Sequence, residues 1–227
     1  MDLKDYIELS EEQYKKFDFY ETETLEWNKN VNLTAITDHD EFILKHFVDS
    51  LSVRDEIEDN SKVLDLGTGA GFPGIPLKIY NNTLDITLMD SLNKRINFLN
   101  NVIDKLKLEK IEAVHGRAEE MGQNKIYREQ YDVVVSRAVA NLSTLIEYLA
   151  PFAKVGGKII VMKGPNVDEE IKNASHALKE LNCEIENIKN FNLTGTDNER
   201  NVLIIRKIKE TNKKYPRKAG TPSKMPL

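Results

Sequence analysis

The 227-residue chain is predicted to fold as α/β: a seven-stranded, mostly parallel sheet with an antiparallel last strand, plus an N-terminal helical extension. Three observations carry this. From Lys62 on, short apolar runs alternate with stretches of helical period, as parallel strands joined by crossover helices require. The first run, KVLDL, feeds straight into a glycine cluster. At the far end, CEIENIKNF and RNVLIIRKI are two strand-like runs with only a loop between them, and so short a link makes the pair antiparallel.

Each element has its own signal. Ser10-Glu-Glu-Gln13 is a capping box, and Tyr14, Phe17, Tyr20, Thr24 and Trp27 follow on one helical face, which reads as core. Asn30 to Asn32 end that helix. A second helix starts near Asp38, with Phe42, Ile43, His46, Phe47 and Leu51 inward; His46 on this apolar face reads as a hydrogen-bonded packing residue. Strands are expected at 62–66, 85–90, 111–116, 131–137 and 156–164. Helices are expected at 74–80, after a Ser91 cap along Ile96, Leu99, Ile103 and Leu106, along Leu142 to Leu149, and as one helix through Val167, Ile171, Ala174, Leu178 and Leu181. The expected division is a helical extension packed on the core (1–60), a sheet domain (61–208) and a basic tail free to be flexible (209–227).

Composition narrows the class. Hydrophobic content of 40% and charged content of 30% suit a soluble globular protein. No apolar run approaches the roughly 20 residues that span a bilayer, and the acidic N-terminus is no targeting peptide, so a cytoplasmic monomer with no membrane partner is expected. The single Cys183 reads as a buried hydrophobe, and no Cys/His cluster suggests a metal. The net charge of −5 is unevenly spread: residues 1–60 carry 17 acids and 6 bases, whereas residues 206–227 carry eight bases and one acid. Such a local basic excess can attract phosphate even in an acidic protein.

The stretch VLDLGTGAGFPGIPL, Val63 to Leu77, fits two glycine spacings. Gly67, Gly69 and Gly71 form G-x-G-x-G, common in loops that hold S-adenosylmethionine. Gly69, Gly71 and Gly74 form G-x-G-x-x-G, the dinucleotide fingerprint. Three features favour the first. Asp65 ends the strand where a carboxylate could meet a cationic methionine moiety but would repel a pyrophosphate. Pro73 and Pro76 leave the next helix few N–H groups for a pyrophosphate. The closing strand pair is common in methyltransferases, so a Rossmann-like class I S-adenosylmethionine-dependent methyltransferase fold is expected. Asp90, ending the second strand, suits ribose hydroxyls in either cofactor, and an NAD-dependent oxidoreductase stays open as an alternative.

Binding residues of a doubly wound sheet gather at the carboxyl ends of its strands. His115-Gly-Arg117-Ala-Glu119 follows strand three, where adenine contacts belong; Ser136-Arg137-Ala138-Val-Ala140 follows strand four, facing the methyl donor; Lys163-Gly164 follows strand five. Strand four lacks a Pro-Pro-aromatic end for amino acceptors, and Cys183 is misplaced for carbon methylation. Guanine N7 fits, because its lone pair needs alignment rather than deprotonation and O6 beside it is a second acceptor. Carboxylate and oxygen acceptors stay open.

These motifs together resemble the bacterial small-subunit ribosomal RNA guanine-N7 methyltransferases, also called glucose-inhibited division protein B. Asn32-Leu33-Thr34, His46, Asp49-Ser50, DLGTGAGFPGIPL, Asp90-Ser91, Arg117-Ala118-Glu119, Ser136-Arg137-Ala138, Lys163-Gly164, Glu199-Arg200 and Tyr215 to Lys224 carry the likeness over essentially the whole chain; Met225 stands where another lysine is common. The resemblance implies S-adenosylmethionine as cofactor, with contacts at Gly67, Phe72, Ala118, Glu119 and Arg137, beside Asp65, Gly69, Asp90 and Ser91. It implies Arg117, Arg137 and Arg200 as catalytic candidates touching RNA or the purine, and Lys163, Arg217, Lys218 and Lys224 as RNA contacts. The implied substrate is a guanine in the 530 loop of 16S rRNA, alone or within the small ribosomal subunit. An RNA-binding assembly factor with a vestigial pocket is the non-enzymatic alternative. The tail is expected to add salt-sensitive affinity without affecting the cofactor.

Overall fold

Helix α1 (Glu11–Val31) starts where its capping box predicts: the Gln13 N–H donates to Ser10 Oγ, and the Ser10 N–H donates to Gln13 Oε1. Asn32, at φ 52°, ends it. The Asp38 carboxylate caps α2 (His39–Phe42), which runs through a π-helical turn (Ile43–Val48) into α3 (Asp49–Leu51). The predicted inward set of this second segment is buried. The π turn is the unforeseen part; such turns re-aim side chains and cluster at functional sites. The computed structural model describes residues 2–137, 140–165 and 167–227.

Seven strands follow: β1 (Lys62–Leu66), β2 (Asp85–Asp90), β3 (Ile111–His115), β4 (Tyr131–Arg137), β5 (Ala153–Lys163), β6 (Cys183–Asn192) and β7 (Glu199–Lys207). Their order is β3-β2-β1-β4-β5-β7-β6, with β7 antiparallel to both neighbours, β5 and β6, and β1 to β5 paired parallel. The order reverses between β1 and β4, which opens a crevice at their carboxyl ends. The connecting helices are α4 (Gly74–Tyr80), α5 (Asn93–Leu106), α6 (Ala118–Met121), α7 (Leu142–Leu149), α8 (Val167–Asn173) and α9 (Ser175–Glu180); α10 (Thr221–Lys224) lies in the tail. One apolar layer joins α1, α4 and α5 to the sheet, and a second joins α7, α8 and α9 to its other face. Among the described residues no helix is long and apolar enough to cross a membrane. Cys183 is buried, and burial pushes its thiol up to about 12.

Three expectations are corrected. Ser91 does not cap α5: the cap is Leu92, whose N–H donates to Asp90 Oδ1. The helix expected through Val167 and Leu181 is two helices, broken at Ala174. β5 begins at Ala153, and the Gly156-Gly157 pair expected as a turn lies within the strand, where the pairing with β4 shifts register.

The tail expected to be flexible is docked. Lys207 Nζ, fully buried, donates to the Ala150 carbonyl and to Thr211 Oγ1. Arg128 donates to the carbonyls of Thr211 and Tyr215. Arg217 grips Glu147 with Nε, Nη2 and its backbone N–H at 2.7–3.1 Å, and Glu147 has no exposure. Of the eight bases from Arg206 on, Arg206, Lys207, Lys214 and Arg217 are ion-paired within the protein. Removing one partner of a buried pair strands the other charge. Arg217→Ala is therefore expected to destabilise the protein by about 3 kcal/mol, the low end for a buried pair because Arg217 keeps some solvent contact. Lys218→Ala, at an exposed site, is expected to stay within about 0.5 kcal/mol of wild type. Denaturant unfolding of both variants checks this.

Candidate active site

After β1 the chain adopts a conformation that glycine tolerates best. Gly67, Gly69 and Gly71 sit at φ 72°, 62° and 99°, where a side chain is strained. These are the glycines of the G-x-G-x-G spacing. Gly74 lies in α4 instead, where a Cβ would meet Leu88 Cδ2 at 2.3 Å, so its smallness serves helix–strand packing.

The loop is tied on every side. Asp65 Oδ2 accepts from Thr68 Oγ1 (2.7 Å) and from the Gly74 N–H (2.8 Å). Tyr20 Oη, from α1, donates to the Ala70 carbonyl at 2.5 Å. The Gly67 N–H donates to the Met89 carbonyl and the Gly69 N–H to Asp90 Oδ2. The first turn of α4 then has no donor left for an anion. Its Gly74 N–H is taken by Asp65, its Ile75 N–H bonds the Gly71 carbonyl, and Pro76 has none.

Against this loop lies a cavity of about 690 Å³ at the carboxyl ends of β1 to β4. Gly67, Gly69, Phe72, Asp90, Ser91, Arg117, Ala118, Glu119 and Arg137 all line it, as expected of them. Asp90 is buried, and its carboxylate already takes the Gly69 N–H, the Leu92 N–H and Arg95 Nη1. A carboxylate offers about four lone-pair sites, so room remains for a hydroxyl donor. Arg95 has no conspicuous motif around it, and sequence reasoning missed it. Glu119 Oε1 takes the Gly220 N–H (3.0 Å), so the tail touches the cavity wall directly.

Arg137, at the end of β4, is the most constrained side chain of the site. Its Nη1 donates to the Lys45 carbonyl (2.9 Å) and to Asp49 Oδ2 (3.2 Å), and its Nη2 donates to His46 Nδ1 (3.1 Å). Its guanidinium stands 5.0 Å from the Phe72 ring centre. His46 stacks on the same ring, 4.3 Å between centres and 7° from parallel, and its Nε2 meets Thr34 Oγ1 at 2.8 Å. Arginine can only donate, so His46 Nδ1 accepts and the proton sits on Nε2. Burial and the neighbouring Arg137 charge hold His46 neutral, with its pKa lowered to about 3. Asp49, 4% exposed, also takes Arg200 Nε at 2.9 Å and so divides one negative charge between two arginines.

Two predicted site residues lie elsewhere. Asp65 does not line the cavity: it is fully buried beneath the loop, because its carboxylate is needed by Thr68 and Gly74. Burial raises its pKa to about 6, against the lowering pull of its hydrogen bonds and Arg137. Arg200 reaches the site only through Asp49. Among the expected RNA contacts, Lys163 bonds Glu170 and the Ala140 carbonyl, and Arg217 is spent on Glu147. Lys218 and Lys224 are exposed. Ala138 of the Ser136-Arg137-Ala138 motif lies outside the described residues.

Comparison with known proteins agrees with this geometry. The family model GidB, described as rRNA small subunit methyltransferase G, matches residues 13–203. A ribosomal RNA small subunit methyltransferase G of Acetivibrio thermocellus is 53% identical over 222 residues, covering 97% of this chain and 91% of the relative. One from Desulforamulus reducens is 51% identical over 223 residues, covering 97% and 93%. Among solved structures, a SAM-dependent methyltransferase from Aquifex aeolicus overlays with a TM-score of 0.54 at 19% identity, covering 74% of this chain and 93% of that one. A TehB-like SAM-dependent methyltransferase from Corynebacterium glutamicum gives 0.54 at 16%, covering 84% and 98%. At such identities the overlays establish the Rossmann-like class I fold.

The His46 environment has a pH signature. Unfolded, the ring takes a proton near 6.5; folded, only near 3. Its contribution to stability is therefore complete above about pH 6.5 and is lost as pH falls toward 3. Asp65 acts oppositely, since its raised pKa lets the folded state hold a proton first as pH falls through about 6. Comparing wild type with His46→Asn cancels the Asp65 part. The wild type is expected to lose stability relative to the variant between pH 6.5 and 4, by up to about 1.4 kcal/mol per pH unit. Urea unfolding across that range measures the difference.

Proposed function

The chain belongs to the rRNA small subunit methyltransferase G family, and from that premise we propose that it methylates N7 of a guanine in small-subunit ribosomal RNA, using S-adenosylmethionine. The observation that carries the reading is a single cavity uniting the positive-φ glycine loop, the Asp90 carboxylate and the Phe72–Arg137 pair. Gly67 and Gly69 let the backbone approach the cofactor, Asp90 takes a ribose hydroxyl, and Ala118 and Glu119 flank the adenine. When bound, S-adenosylmethionine supplies an electrophilic methyl group on a cationic sulfur.

The chain's own residues supply alignment and charge balance. Asp49 offsets Arg137, which limits repulsion between that guanidinium and a cationic donor. Among the described residues nothing takes the Nε–H of Arg137 or its second Nη2–H, donors suited to O6 beside N7. N7 carries no proton, so no base is needed. Neutral His46 has both ring nitrogens engaged and stands ready to accept none. Arg117, exposed at the rim, and Lys209, Lys213, Lys218 and Lys224 have no side-chain ion pair among the described residues and are free for phosphate. Arg200 acts through Asp49 rather than on the purine. The oxidoreductase alternative loses its main support, because α4 has no spare N–H for a pyrophosphate.

Methyl transfer from labelled S-adenosylmethionine to small-subunit RNA or particles, with mass-spectrometric mapping, is expected to yield 7-methylguanosine. Cofactor binding without incorporation would favour a binding module, and tight NADH binding without S-adenosylhomocysteine binding would overturn the cofactor. Gly67→Asp is expected to weaken S-adenosylhomocysteine binding by about 100-fold, the effect of roughly 3 kcal/mol of clash and repulsion, measured by calorimetry.

A further inference from the structure

Arg137 is held by more than its ion pair. Four contacts converge on the guanidinium: the Lys45 carbonyl, the Asp49 carboxylate, the Phe72 face and His46 Nδ1. The first comes from within the π turn and the second from the residue just after it, and both occupy Nη1. Among the described residues His46 is the side chain that bonds Nη2, so it holds the edge of the guanidinium that Lys45 and Asp49 leave unbonded. His46 is itself restrained on three sides. Phe72 stacks on it, Phe42 meets it edge-on at 4.7 Å and 79°, and Thr34 Oγ1 binds Nε2. Thr34 Oγ1 also accepts the Ile36 N–H, so its own position is set by the backbone. The ring lines the cavity and yet is 7% exposed, with no nitrogen free for a substrate.

We propose that His46 is a positioning residue for methyl transfer. Its Nδ1 lone pair fixes Arg137 Nη2, and Thr34, by taking the Nε2–H, fixes the tautomer that makes this lone pair available. The inference rests on reading the cavity as the methyl-transfer site. It assigns His46 a function beyond packing, since a ring that only filled space would need neither nitrogen.

Asparagine and glutamine separate the two nitrogens. Asn at this position places an amide oxygen near the place of Nδ1, whereas Gln places its amide near Nε2. His46→Asn is expected to keep kcat within about threefold of wild type. His46→Gln and His46→Phe are expected to lower kcat by about 10- to 100-fold, the effect of a small misplacement at the reacting centre. All three are expected to bind S-adenosylhomocysteine within about threefold of wild type by calorimetry, so the loss falls on kcat and not on cofactor affinity. A Gln variant as active as the Asn variant, or both equally impaired, would falsify the lone-pair role. Loss of S-adenosylhomocysteine binding in the Gln variant would also count against it, because it would mean the ring supports the pocket as a whole. Wild-type turnover on small-subunit particles is the reference. An inactive wild type defeats the methyl-transfer reading, while a fully active Gln variant defeats only the role of His46.

Discussion

A buried carboxylate shapes this site. Asp65 Oδ2 binds both Thr68 Oγ1 and the Gly74 N–H, which draws the start of α4 against the end of β1. The intervening chain reverses within a few residues, with Gly67, Gly69 and Gly71 at positive φ, where glycine is the residue that fits without strain. The same bond consumes a donor that a nucleotide phosphate would need. Asp65 Oδ1 has no hydrogen-bond partner among the described residues and no exposure, and the raised pKa of the group reflects that burial. One interaction therefore sets both the shape of the loop and the kind of cofactor it can hold.

The N-terminal helices belong to the site as fully as the sheet does. Tyr20 closes the loop from α1, and Gly71 leaves room for it: a Cβ there would stand 2.8 Å from Tyr20 Oη. Phe17, Tyr20, Phe42, Phe47 and Phe72 form a continuous aromatic cluster between this segment and the loop. Asp49 then crosses to both Arg137 and Arg200, tying the ends of β4 and β7 to one short helix. A salt bridge this buried contributes little net stability unless each charge is fully hydrogen-bonded. Here the lone pairs are shared between two guanidiniums, and what the arrangement secures is the orientation of Arg137.

Period and punctuation made most of the fold legible. β1, β2, β4 and α4 begin and end where alternation and glycine place them, because each is bounded by a local signal. The break at Ala174 and the π turn at Ile43–Val48 have no such signal, since an unbroken apolar stripe fits both a straight helix and an interrupted one. In the site, residues that line the cavity through backbone or strand-end position were legible: Gly67, Gly69, Asp90 and Arg137. Asp65 was placed at the right corner with the wrong orientation, because a strand alternates its side chains and composition does not say which face binds. Arg95 stayed hidden because no motif marks it, although its partner Asp90 is five residues away, and Tyr148, which also lines the cavity, because its partners Glu119 and Ser223 are distant in sequence.

The C-terminal segment shows how far a linear charge count can mislead. Eight bases against one acid suggest a strong attraction for phosphate, yet half of those bases are bound to Glu186, Glu129, Glu180 and Glu147. A base already paired inside the protein has few counterions to release to a phosphate, so what this segment offers an anion rests on the four lysines that have no ion pair among the described residues. Their placement matters more than their number. The segment carrying them is bonded through Gly220 to Glu119 and through Pro222 to Thr144, on the elements that build the cavity wall. A shift of the segment must therefore move or break contacts to that wall, so its position and the shape of the wall around Glu119 are set together.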